Sequence, residues 1–408
     1  AGETVVWPST IDKPFPPMLQ ALVPPTDPNN LQRRILTRIM ERSGTTVAQG
    51  QDLEWTLLLL GGRSSIGHLE VFEDKNRALA WYGREPNHLP FLDIQSSSLL
   101  ALATASSRSD IDLSTLDKII DALETCPTSS GVMPKLLMPI EVPESKQPVD
   151  AVVKFQGGAF PDIVRLESVA YRVFDRLEQD VPDRWLQSRG AAVLLATRRF
   201  DRQDGIPVPM ESAFSALFTA TGGKVHGPWP DSEAWHDIRM LANAIFTPSL
   251  GLSIDPKRDA ERLYQRMVAN ILMGISDSHL MNLSFIGRRG HAALSPVYDP
   301  APMRAYQSMA CISRTPYGWR VTSYDDEPSG TDDLLIGLSQ ALRISAPVSR
   351  KIVQHLLAAT EDYPELVRAS NASDSTIGQL LQRVKKARYW VHNAIENSVS
   401  LASMDSKA

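Results

Sequence analysis

Within residues 276–299, SDSHLMNLSFIGRRGHAALSPVYD, an acid stands at Asp277, an amide five residues later at Asn282, and a second acid at Asp299. These are the residue types that phosphoryl transfer from a nucleotide requires. One carboxylate accepts the proton of an acceptor hydroxyl, while an amide oxygen and a second carboxylate hold the magnesium ions that neutralise the phosphates. The intervening segment reads as a hairpin. Leu283 to Ile286 is a short apolar run, GRRG from Gly287 to Gly290 is a turn, and His291 to Tyr298 runs back, so Asp299 should return to the end that Asn282 leaves. Taken alone, an Asp, a His and an Asn within six residues are more often turn residues that bond their own backbone.

The elements that must position this trio are ordinary in composition. The 408 residues suffice for one large two-lobed body or two to three domains, and 43% hydrophobic with 22% charged content suits a soluble globular chain. A net charge of -5 argues against a basic clamp that grips duplex nucleic acid directly. Cys126 and Cys311 are the only cysteines, too few for a disulfide framework and without the clustered partners of a zinc site, so a reducing compartment is expected. The opening residues lack a basic segment followed by an apolar stretch, and the notable apolar run 55–60 is far short of the ~20 residues that span a bilayer. A cytoplasmic, soluble protein without a membrane partner is expected. The sequence begins at Ala1 rather than Met, which leaves room for an upstream piece.

Residues 30–42 predict an amphipathic helix through Leu31, Ile35 and Ile39. Residues 57–72, LLLLGGRSSIGHLEVF, read as a buried run, a turn at Gly61 and Gly62, and a strand with Ile66, Leu69 and Val71 as its apolar positions. A helix over 113–123 is followed by a loop and a strand in CPTSSGVMPKLLMPIEV. Next comes the buried strand DAVVKF at 150–155, with Lys154 near its end, and then a helix over 163–177 whose stripe is Ala170, Val173, Phe174 and Leu177. Glu167 falls one turn ahead on that stripe, where a carboxylate must find a cation or take up a proton. Lys154 is the cation at hand, as when a strand lysine that grips nucleotide phosphates is oriented by a glutamate of the next helix. A lysine snorkelling at a strand end and a glutamate at the stripe's edge are the other reading. Another buried strand is expected at 191–196, and a lobe boundary near Gly205. The remainder reads as mostly helical, with Asp255 and Pro256 starting the helix that delivers the chain to Asp277.

In this order the motifs resemble the HipA family of bacterial Ser/Thr kinases, toxins of toxin-antitoxin pairs. The matching pieces are TSSGVMPK (128–135), VVKF with Lys154, the helix with Glu167, RRFDR (198–202), GISDSHLMN (274–282) and LSPVYDP (294–300). The resemblance implies an α+β, two-lobed, protein-kinase-like fold. Its mixed α/β N-terminal lobe would span 1–202, with a subdomain to about 112 and a nucleotide-binding part from about 113, and its mostly helical C-terminal lobe 203–408. It makes Asp277 the catalytic base, Asn282 and Asp299 the Mg2+ ligands, and Lys154, oriented by Glu167, the phosphate-binding lysine. It also puts Ser130 and Gly131 in a loop over the ATP phosphates, Phe200 at the hinge that meets adenine, His279 beside the nucleotide and Tyr298 near the base. A hydroxyl of the covering loop, Thr128 or Ser130, would be autophosphorylated and silence the enzyme, as added negative charge beside an ATP site would do. Three departures stand out: Arg198 where the family has Glu, Met281 where it has a cation, and a single glycine, Gly131, in the covering loop.

The resemblance implies an ATP- and Mg2+-dependent kinase that phosphorylates a protein hydroxyl, with an aminoacyl-tRNA synthetase as target class, translation and growth arrested as the result, a small antitoxin as partner, and DNA reached only through it. Two other functions fit the residues. One is a catalytically weak antitoxin-binding protein or transcriptional co-repressor, for which LSQALRISAPVSRKIV at 338–353 reads as helix, turn, helix. The other is a small-molecule kinase of related fold.

Overall fold

The computed structural model describes residues 15, 17–20, 22–24, 26–44, 50–83, 92–107, 112–122, 133–143, 145–203, 205–220, 235–278, 280–306 and 331–405. The fold is α+β. The expectations at Thr128, Ser130, Gly131 and His279 fall outside the described residues. The chain divides into two compact units, Ala1–Val164 with Pro182–Glu211, and Arg165–Val181 with Ser212–Ala408. This is a different division from the lobes expected to meet at residue 202, because the segment 165–181 is part of the second unit.

The first unit is built on a five-stranded sheet. Its strands are β1 (Leu92–Asp93), β2 (Lys135–Glu141), β3 (Val149–Phe155), β4 (Arg184–Arg189) and β5 (Ala192–Arg198), in spatial order β1-β2-β3-β5-β4. β1 runs parallel to β2 and the other neighbours are antiparallel. Side chains alternate between faces with a period of two, so Leu136, Met138 and Ile140 share one face with Val149, Ala151, Val153, Phe155, Leu194 and Ala196. That face packs into one apolar cluster with helices Leu31–Arg42, Gln51–Gly61 and Ser97–Ser107. The other face presents Lys135, Lys154 and Leu195 in one cross-strand row. Asn30 caps the helix Leu31–Arg42 by accepting the Arg33 N–H at 3.2 Å, the role its short polar side chain is suited to.

The strand expected within 57–72 is not there. Gln51–Gly61 is helical and residues 62–72 are irregular, joined by a Val71 N–H to Gly62 O bond of 3.0 Å. Ile66, Leu69 and Val71 are spaced by three and then two, so they lack the strict alternation that marks a strand. The irregular segment is instead held by charge. Asp201, 2% exposed, accepts from Arg199 Nη2 at 2.8 Å, from Arg202 Nη1 at 3.1 Å and from the Gly67 N–H at 2.6 Å. Arg199 also donates to Ser64 O and Ser65 O, and Arg202 to Gly67 O. Burial alone would push the Asp201 carboxyl up, but the two guanidiniums hold it below the usual carboxylate range.

In the second unit the central helix Pro256–Met273 is surrounded by helices Trp235–Ile245, Thr331–Ala341, Ala346–Ala359 and Asp374–Asp405. The helical pair once open to a DNA-reading role packs inward: Leu335, Leu338, Leu342, Val353 and Leu356 are buried, and the Tyr264 hydroxyl meets Ser349 Oγ at 2.7 Å. Among the described residues no helix is long and apolar enough to cross a membrane.

Removing one partner of a buried charge network strands the others. Asp201→Ala is therefore expected to destabilise the protein by about 3 kcal/mol in denaturant unfolding. Because the folded carboxyl titrates below its unfolded value of about 3.9, the Asp201 contribution is complete above that pH and is lost as pH falls through the lowered folded value. Thermal unfolding from pH 7 to pH 2 should show the gap between wild type and Asp201→Asn closing only at the acid end.

Candidate active site

The site is assembled where the central helix stops. Asp255 opens that helix by accepting the Arg258 N–H at 3.1 Å, with Pro256 in the first turn. Gly274 closes it in a left-handed conformation, φ 73, and a Cβ there would lie 2.8 Å from a Leu380 methyl, so only glycine fits without displacement. The Ile275 N–H turns back to Asn270 O at 2.9 Å, and Asn270 Nδ2 reaches Ser278 Oγ at 2.9 Å. The loop that carries Asp277 is thus pinned on both sides of that residue.

Asn282 ends the short 3-10 turn Leu280–Asn282, and its Nδ2 donates to Asp277 O at 2.8 Å. A carbonyl can only accept, so this bond fixes which end of the amide faces inward and leaves Oδ1 as the atom available to a cation. The hairpin expected next is present: Ser284–Ile286 pairs antiparallel with Ala293–Leu294, and the Ser295 N–H closes onto Ser284 O at 2.9 Å. Gly287 and Gly290, both at positive φ, make the turn. Asp259, at the start of the central helix, accepts the Leu294 N–H at 3.0 Å and fixes the returning strand.

Past the hairpin, the Tyr298 hydroxyl lies 2.8 Å from Met281 O and 2.7 Å from Ser284 Oγ. It joins the end that holds Asn282 to the end that holds Asp299. Asp299 itself has φ 55, and its N–H donates to the Tyr171 hydroxyl at 3.2 Å. Asp277, Asn282 and Asp299 therefore sit on one hydrogen-bonded framework within the second unit. An amide oxygen and a carboxylate are hard donors suited to magnesium, which keeps part of its shell for phosphate and water. Among the described residues no group of three or more His, Cys, Asp or Glu is gathered around a metal position.

The other expected residues are placed separately. Lys154 is 4% exposed near the end of β3, opposite Lys135 on β2, which is 7% exposed. Lys135 closes the motif 128–135 and carries no expected role. Glu167, 1% exposed, lies on the helix Ile163–Arg176 in the part that belongs to the second unit. Phe200 is half-buried between Arg199 and Asp201, the clamp residues. Of the departures, Arg198 turns to Asp183 Oδ2 at 2.8 Å with its guanidinium 6.0 Å from the Trp185 ring centre, and Met281 contributes its carbonyl to Tyr298. Sequence reasoning passed over Tyr171. Its one signal was a hydroxyl-bearing ring four residues after Glu167, among apolar neighbours, where a buried hydroxyl needs a partner.

The HipA-like C-terminal domain family matches residues 128–363, more than half of the chain. No curated protein sequence matches. Among solved structures, HipA of the Shewanella oneidensis MR-1 toxin-antitoxin system, described in complex with HipB and its operator DNA, is 14% identical with a TM-score of 0.58. The match covers 92% of this chain and 84% of that one. The Helicobacter pylori proinflammatory kinase CtkA is 14% identical over 66% of this chain and 92% of that one, with a TM-score of 0.46. With the C-terminal domain recognised over most of the framework just described, and the fold shared along nearly the whole chain, this protein belongs to the HipA family.

Proposed function

We propose that this chain is an ATP- and Mg2+-dependent serine/threonine protein kinase of the HipA toxin type. The observation that supports the reading most directly is the hydrogen-bonded loop in which Asn282 is tied to Asp277 and, through Tyr298, to the backbone beside Asp299. Asp277 takes the proton from the attacking hydroxyl of the acceptor protein. Asn282 Oδ1 and the Asp299 carboxylate hold magnesium, which neutralises charge on the nucleotide phosphates. Lys154 holds the phosphates by its ammonium, oriented by Glu167, and a desolvated cation is stronger in that role than an exposed one. Phe200 meets the adenine, and His279 and Tyr298 line the nucleotide.

The acceptor class is an aminoacyl-tRNA synthetase, whose phosphorylation arrests translation and growth. A small antitoxin is the partner and DNA is reached through it, by analogy with the Shewanella protein, which is described together with HipB and operator DNA. Phosphorylation of Thr128 or Ser130 within the covering loop shuts the enzyme off.

Purified protein incubated with γ-labelled ATP and Mg2+ should transfer phosphate. Asp277→Ala should lower the rate by about 10²–10⁴-fold, and chelation of the metal should abolish it. Equal transfer by wild type and Asp277→Ala would end the catalytic claim. Intact mass followed by peptide mapping should place an added phosphate at Thr128 or Ser130. Label that enters a metabolite fraction of a lysate, and no protein, would favour the small-molecule kinase instead.

A further inference from the structure

We infer that the buried hydroxyl of Tyr171 is a positioning group for Asp299, holding the backbone of this acid in its left-handed conformation from the helix that also bears Glu167. The inference deepens the proposed function, since it takes Asp299 as a metal-binding carboxylate.

Asp299 is one of six non-glycine residues at positive φ among the described residues. This conformation is unfavourable for a residue with a Cβ, least so for Asp and Asn, and it persists where surrounding contacts over-determine it. Here the contacts lie on both sides. The Ala301 N–H closes onto Asp299 O at 2.8 Å, and the Asp299 N–H points at the Tyr171 hydroxyl at 3.2 Å. Two residues earlier, the Val297 N–H donates to Asp180 O at 2.7 Å. Tyr171 and Asp180 both belong to the segment 165–181, so one segment grips the returning chain at two alternate residues. The residue between them, Tyr298, points its hydroxyl the other way, to Met281 O and Ser284 Oγ. Alternation of this kind fixes both the path of the backbone and the rotation about it, and so the direction in which the Asp299 carboxylate leaves the chain.

The stripe members Ala170, Val173, Phe174 and Leu177 are apolar and buried. A phenylalanine at 171 would pack nearly as well and would leave the Asp299 N–H without this acceptor. Glu167 and Tyr171 lie four apart, on one helix face, and each is 1% exposed.

The test compares the full-length wild type with Tyr171→Phe, Asp299→Asn and, as a packing control on the same helix, Val173→Ala. Mn2+ binding in the presence of ADP is followed by electron paramagnetic resonance, beside mass-spectrometric amide exchange across residues 297–301 and thermal unfolding. Tyr171→Phe is expected to weaken Mn2+ binding about tenfold and to speed exchange in that segment by about tenfold. Val173→Ala is expected to lower Tm while leaving Mn2+ affinity unchanged. Wild-type exchange and affinity in Tyr171→Phe overturn the inference, as does an affinity loss in Val173→Ala equal to that in Tyr171→Phe. If exchange rises in Tyr171→Phe while wild type and Asp299→Asn bind Mn2+ equally poorly, the hold on the backbone stands and the metal reading of Asp299 is what fails.

Discussion

A hairpin with a functional residue at either end is useful only if those ends are kept side by side, and strand pairing alone does not secure this. The paired strands here are three and two residues long, too short to be stable by themselves. The Tyr298 hydroxyl supplies what the strands lack, bonding to a backbone carbonyl and a serine hydroxyl across the open end. A half-buried phenol suits the task because its ring packs while its oxygen both donates and accepts. Asn282 then depends on the same geometry, since its bond to Asp277 O requires the 3-10 turn that Tyr298 holds down.

The backbone around this joint is anchored to two helices and to the segment that follows one of them. Asp180 O, Asp259 and Tyr171 accept successive N–H groups at Val297, Leu294 and Asp299. Two of these anchors come from the segment 165–181, which explains in physical terms why that stretch belongs with the second unit although the strands before and after it lie in the first. Catalytic constellations keep their precision when rigid elements hold them, and two of these anchors, Tyr171 and Asp259, stand on helices.

Charge is handled differently in the first unit. Asp201 is desolvated between two arginines and a backbone N–H, and its whole contribution depends on all partners being present. Lys135 and Lys154 share one row of the sheet and are both buried. The same strands bury their opposite face in one apolar cluster, while the two lysines stand among buried Leu137 and Leu195 on the other.

What the residues determined by themselves was local. Periodicity and turn chemistry are written in neighbouring positions, and from them came the strands at Lys154 and at 191–196, the helix with Glu167, the capped central helix and the hairpin after Asn282. Where the period is imperfect, as at Ile66, Leu69 and Val71, the reading gave a strand in a segment that is irregular. The polar β4 and the two-residue β1 left no mark at all, because pairing with a neighbour makes them strands rather than their own side chains. Tertiary structure alone decided that Tyr171 meets Asp299, 128 positions away, and that Asp201 meets Gly67, 134 positions away. Bonds of that span depend on how distant elements pack, and no spacing within a short window encodes them.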